Sequence, residues 1–237
     1  MWDREMSLYS ADHQVVRYDL RGFGGSSPAT APFSNTRDIQ ALSSHFGLER
    51  PFLVGSSMGG GIAIDYALAH PDRVSGLLLA APGVSGSFET PWEPKELEAF
   101  QYDDNKSQEV AAAWTKGDAA SAFGSVRELW CAALEGPSLG LLRAMVEQNA
   151  AEVFDFRSMK NAEKAPPAVP RLSTIRVPTA VLVGDRDNPS SPVLAKRVAQ
   201  DIPGARYVTV AGADHLINLS RPEAFDREFR TTTRAVH

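Results

Sequence analysis

The 237-residue chain contains one cysteine, Cys131, so no disulfide framework can form within it, because such a framework needs pairs. There is no excess of basic residues: a net charge of −5 and a pI near 5.6 argue against nucleic acid as a partner. No apolar run approaches the ~20 residues that would span a bilayer. The opening Met1-Trp2-Asp3-Arg4-Glu5 lacks the basic, apolar and small-residue progression of a signal peptide. No His/Cys cluster has metal-ligand spacing, so neither a metal nor an organic cofactor is expected. Gly22 and Gly24 follow an apolar run, but Ser27 occupies the third glycine position of a dinucleotide loop. These absences leave a cytoplasmic protein, monomer or homodimer, that acts on a small molecule without nucleic acid or membrane. Cys131, with no histidine near it in sequence, reads as a packed helical residue.

What is present is an alternation of short β-branched runs with helix-length segments, the pattern of a parallel sheet covered on both faces. Strands are expected at Val15–Tyr18, Pro51–Val54, Val74–Ala80, Thr179–Val183 and Ala205–Val210. Helices are expected at Thr36–Phe46, Met58–Ala69, Ser191–Ile202 and Arg221–Arg230, the last with Pro222 placed for its first turn. Between Gly83 and Arg176 no strand is legible. Amphipathic stretches at Pro94–Phe100, Ser107–Trp114, Ser125–Leu134 and Leu139–Asn149 suggest a helical insertion, ending in the proline-rich linker Ala165–Pro170. The expected fold class is α/β, with core segments 1–82 and 177–237 around a helical insertion, 83–176.

Gly55-Ser56-Ser57-Met58-Gly59 joins an expected strand to an expected helix. In that context a G-x-S-x-G pentapeptide describes a sharp turn with a serine hydroxyl at its tip. The flanking glycines would remove side chains that collide, and the helix N-terminus offers free N–H groups. Met58 N–H is one natural donor to an oxyanion. A serine hydroxyl needs a base, and the histidines are His13, His45, His70, His215 and His237. His13 precedes the first strand, His45 and His70 sit near helix ends, and His237 is terminal. His215 alone follows an expected strand, where open α/β sheets place ligand sites. The imidazole needs an acid to fix its tautomer. Asp185 and Asp187 both follow the strand at Thr179–Val183. Asp187 is preferred, because Asp185 lies close to the strand end beside Arg186, where an ordinary ion pair is expected.

These residues resemble the α/β-hydrolase superfamily, in the branch of small esterases, enol-lactonases, cofactor-free haloperoxidases and meta-cleavage product hydrolases. The chain order Ser57, Asp187, His215 is the order that fold uses. Asp19–Ser26, Ala69–Val74 and Arg221–Phe225 resemble its loop before the first full helix, its turn after the nucleophile helix and the start of its last helix. The resemblance implies a serine hydrolase of small carboxylic esters or lactones, with Ser57, Asp187 and His215 catalytic and Met58 in the oxyanion hole. It makes residues 83–176 the cap over the active site, with Trp114, Phe123 and Trp130 as candidate substrate contacts or cap core. C–C bond hydrolysis, perhydrolysis and an inactive ligand-sensing relative are the alternatives. The family's N-terminal strands and its His-Gly oxyanion loop have no counterpart, since Met1–Met6 resembles the helix after that loop. The retained motifs favour a product extending upstream of Met1 over a shortened form of altered activity.

Overall fold

In the computed structural model, which describes residues 1–153 and 157–236, the contacts divide the chain into two compact units. One comprises residues 34–134 and 164–237, the other residues 1–33 and 135–163.

The larger unit carries a four-stranded parallel sheet: β1 (Phe52–Ser56), β2 (Gly76–Ala80), β3 (Thr179–Gly184) and β4 (Arg206–Val210), in that spatial order. Phe52 is opposite Gly76, Leu77 opposite Thr179 and Ala180 opposite Arg206. β2 and β3 are buried along their whole length, which explains their unbroken apolar sequences: both faces are covered. α3 (Met58–Ala69) packs on β1 and β2, α8 (Ser190–Asp201) on β3 and β4, and, after the short α9 (Ile217–Ser220), α10 (Pro222–Arg234) on β2 and β3. α3 is apolar apart from Asp65 and buries Ile62, Ile64 and Tyr66. α10 is strongly one-sided, burying Phe225 and Phe229, as a helix with one face in water must be. α2 (Asn35–His45) also belongs here, its first turn capped by Ser34 Oγ, which accepts from Arg37 N–H at 3.4 Å.

α4 (Pro94–Thr115) and α5 (Ala119–Trp130) pack on one another in the same unit. The two amphipathic stretches expected at Pro94–Phe100 and Ser107–Trp114 form this one helix, α4. Residues 101–106 between them are polar but include no Gly or Pro, and the pairs Gln108–Asp104 (2.8 Å) and Lys106–Glu109 (2.9 Å) support the turns there. α4 opens with a Glu93/Glu96 capping box and Pro94. α5 starts earlier than expected because Asp118 caps it, accepting from Ser121 N–H at 3.0 Å, and it ends before Cys131.

The smaller unit holds α1 (Asp3–Tyr9), α6 (Gly136–Gln148) and the short α7 (Ala150–Val153). Phe33 and Ala162 form an isolated parallel bridge, and Asn161 Nδ2 donates to Ala29 O at 2.8 Å. Val15–Tyr18 was expected as a strand and is not one: it pairs with no ladder among the described residues. A β-branched run becomes a strand only when a neighbour satisfies its backbone groups. Among the described residues no helix is long and apolar enough to cross a membrane.

Candidate functional site

The three residues expected to act lie just past the ends of three strands, β1, β3 and β4. Ser57 lies between β1 and α3 with φ 52° and ψ −120°. Ser57 and Ala81, the residue after β2, are the only non-glycine residues with positive φ among those described. Such conformations persist only where surrounding structure imposes them. Here Ser57 N–H donates to Ala80 O (2.9 Å), and Ser57 O accepts from Gly83 N–H (2.9 Å) and Gly61 N–H (3.1 Å). The expectation that both flanking glycines avoid collisions holds at one of them. A Cβ on Gly55 would overlap the Gly59 carbonyl and lie 2.6 Å from Gly60 N, whereas a Cβ on Gly59 would meet nothing within 4 Å. Met58 is the first residue of α3, where N–H groups have no intrahelical acceptor.

His215 and Asp187 are brought together. Nδ1 of His215 lies 2.9 Å from Asp187 Oδ1 and 3.1 Å from Oδ2, with the imidazole 12% exposed and the carboxylate fully buried. A carboxylate can only accept, so this bond assigns the Nδ1 proton and leaves the Nε2 lone pair as the basic site. Burial alone would lower the His215 pKa. The negative charges and hydrogen bond of Asp187, with Asp214 and Asp103 beyond, outweigh it and leave the pKa raised. Among the described residues no hydrogen bond joins the Ser57 hydroxyl to His215. Catalytic contacts of this kind commonly tighten only with substrate bound.

Several supports of the pair carry no short-range sequence signal. Asn188 N–H donates to Asp187 Oδ1 (2.7 Å). Asn188 Oδ1 accepts from both the N–H (3.0 Å) and hydroxyl (2.6 Å) of Ser191, whose Oγ is 3.4 Å from His215 Nδ1. Asp103, on α4, accepts from Ser190 N–H at 3.0 Å, and burial raises its pKa. Asp185 does not form the expected ion pair with Arg186. Its Oδ1 instead accepts from Gly212 N–H at 2.6 Å, while Arg186 N–H donates to Ala213 O at 2.9 Å. These bonds sew the loop after β3 to the loop after β4. The loops run so close that a Cβ on Gly184 would overlap the Ala213 carbonyl.

Among the residues expected to line a pocket, Phe123 is buried on α5, and Trp114 and Trp130 are half-buried. Trp130 meets the site through its backbone, its carbonyl accepting from His215 N–H at 3.0 Å. Cys131 was expected inside a helix and follows α5 instead. It is 2% exposed, and burial with nearby Asp214 and Asp187 pushes its thiol pKa far up, leaving it inert as a nucleophile. His13, His45 and His70 lie outside this arrangement, and His237 lies outside the described residues.

A sequence model of the alpha/beta hydrolase family matches residues 1–228. The chain is 30% identical over 229 residues to polyketide synthase ThaQ of Burkholderia thailandensis, a match covering 90% of this chain and 10% of that protein. It is 36% identical over 83 residues to a 2-hydroxy-6-oxononadienedioate/2-hydroxy-6-oxononatrienedioate hydrolase of Dechloromonas aromatica, covering 33% of this chain and 29% of that enzyme. The chain thus matches well under two thirds of the length of either relative. Among solved structures, a thermophilic esterase from Thermogutta terrifontis superposes with a TM-score of 0.76 at 26% identity, over 100% of this chain and 85% of that one.

Proposed function

Since the chain belongs to the alpha/beta hydrolase family, we propose that it hydrolyses small carboxylic esters or lactones through Ser57, His215 and Asp187. The observation that carries this reading is the buried Asp187–His215 pair, held at 2.9 and 3.1 Å on loops at the ends of β3 and β4. It accompanies a serine in a strained strand-to-helix turn after β1 of the same sheet. The likeness to the Thermogutta terrifontis esterase supports the same chemistry.

His215 Nε2 takes the Ser57 hydroxyl proton as Oγ attacks the carbonyl carbon, and the carbonyl electron pair moves to oxygen. Met58 N–H, at the start of α3, donates to that oxyanion. Asp187 holds the ring in the tautomer this requires and stabilises the imidazolium. The imidazolium then protonates the leaving alkoxide, and the carbon–oxygen bond breaks to leave an acyl-serine. Water, deprotonated by the same base, attacks the acyl carbon, the acyl carbon–Oγ bond breaks, and the imidazolium returns its proton to Ser57 Oγ as the carboxylic acid leaves. Trp114, Phe123 and Trp130 supply apolar surface from the α4–α5 helices.

A second reading, C–C bond hydrolysis of a ring-cleavage product, is favoured by the match to the Dechloromonas aromatica hydrolase. The deciding experiment is p-nitrophenyl acetate turnover by the chain and by Ser57→Ala. Loss of turnover in Ser57→Ala, on the order of 10³-fold or more, supports the serine hydrolase. Equal rates in the two proteins would remove Ser57 from the mechanism. Rapid cleavage of a dienoate with slow ester turnover would move the substrate to the second reading.

A further inference from the structure

Asp214 immediately precedes His215, has no exposed surface, and takes no part in the proton transfers above. Burying a carboxylate is costly unless both oxygens are matched. Here Oδ2 accepts from Ala133 N–H at 3.0 Å and Oδ1 from Leu216 N–H at 3.1 Å, and the Ser220 hydroxyl also lies against the carboxylate. The flanking backbone repeats the pattern. His215 N–H donates to Trp130 O at 3.0 Å. Asp214 N–H donates to Ser220 Oγ at 3.3 Å, and that hydroxyl donates to Leu216 O at 3.1 Å. Two bonds therefore cross from the His215 loop to residues 130–133 at the exit of α5, on either side of the buried Cys131. Three more fold the loop onto itself.

We propose that Asp214 is a positioning residue for His215, locking the base loop onto the Trp130–Ala133 segment so that the ring keeps its place while Asp187 holds Nδ1. The role rests on the serine-hydrolase reading. It also makes the α5 exit a structural part of the base, since displacing residues 130–133 displaces the main chain of His215. Groups facing His215 from packed elements are Asp187 from the loop after β3, Asp103 from α4 and the Ser191 hydroxyl from α8. Asp214 adds a further negative charge that helps to raise the His215 pKa.

The test is Asp214→Asn. An amide matches the carboxylate in shape but has one acceptor oxygen, so its NH₂ must face either the Ala133 or the Leu216 N–H, donor against donor. Kinetics with p-nitrophenyl acetate, normalised to sites titrated by a fluorophosphonate, count only folded enzyme. Expected are a kcat lower on the order of 10- to 100-fold with KM little changed, as misplacement of a catalytic group produces. The acid limb of the rate profile should also move to lower pH, because removing a negative charge makes His215 easier to deprotonate. Amide hydrogen exchange at Ala133 and His215 should speed up. A lower kcat with an unmoved acid limb would reduce Asp214 to a packing role and overturn the proposal, as would unchanged kcat. A wild-type chain without Ser57-dependent turnover fails the hydrolase reading and the positioning role with it. Turnover in the wild type matched by Asp214→Asn fails the positioning role alone.

Discussion

The turn that carries Ser57 and the loops that carry Asp187 and His215 are built in opposite ways. The turn is a backbone construction: Ser57 is pinned by its own N–H and C=O to Ala80, Gly83 and Gly61, and the space beside it exists because Gly55 has no side chain. The loops of Asp187 and His215 are a side-chain construction. Asp185, Asp214, Asn188, Ser191 and Asp103 each supply an oxygen or hydroxyl from a different place in the chain. The first kind of site fails when an atom is added, the second when a charge or acceptor is removed. Substitutions can therefore be chosen that damage one and spare the other.

The largest loss is expected from Asp187→Asn. The amide would turn its NH₂ or its single oxygen toward Nδ1, and the tautomer that leaves Nε2 unprotonated loses its support. Where the equivalent change has been measured in a serine-protease triad it costs ~10⁴ in kcat. The pH dependence follows from the sign of the His215 shift. Asp187 is the foremost influence raising that pKa above its ordinary value of 6.5, against the lowering effect of burial. Wild-type activity should therefore rise with pH through a value above 6.5. In Asp187→Asn the remaining activity should rise through a lower one. A pH–kcat/KM profile checks both, and an acid limb that stays in place in the variant would take His215 out of the base role.

Gly55→Ala tests the turn. The added methyl overlaps the Gly59 carbonyl and crowds Gly60 N, both main-chain atoms at the start of α3 that cannot swing aside as a flexible side chain could. Overpacking of this kind costs about 1–3 kcal/mol. Thermal melting should show that loss, and esterase activity should fall with it because Ser57 rides on the same turn. An unchanged melting temperature with full activity would mean that the turn can open, and the strain at Ser57 would need another explanation.

The contrast also explains what could be read in advance. Ser57 and α3 were legible because pentapeptide, strand and helix are contiguous, and steric rules for a sharp turn act over a few residues. His215 and Asp187 were legible as positions after apolar runs, and were paired only because an imidazole base needs an acid and the chain order matched the family's: nothing near Asp187 in sequence encodes a bond to a residue 28 positions away. Asp185 shows the limit. Its neighbour Arg186 suggested a local ion pair, but the carboxylate binds Gly212 N–H in the next loop, a partner visible only once β3 and β4 are side by side. Asp103 and Asp214 were missed for the same reason. Val15–Tyr18 failed in the other direction, its strand-forming composition having no ladder to join among the described residues.

The smallest effect is expected at the other glycine of the pentapeptide. Gly59 lies in the first turn of α3, does not have positive φ, and a Cβ there meets nothing within 4 Å. Alanine is the better helix former by up to about 1 kcal/mol and loses less entropy on folding. Gly59→Ala should therefore melt at or slightly above the wild-type temperature, opposite in sign to Gly55→Ala four residues earlier. Activity then separates two reasons for open space at this point. If Gly59 serves only the fold, kcat and KM stay at wild-type values. A raised KM with an unchanged melting temperature would mean that the space beside Gly59 is where the acyl group of the substrate lies. The second glycine of the motif would then belong to binding, and only the first to the geometry of the turn.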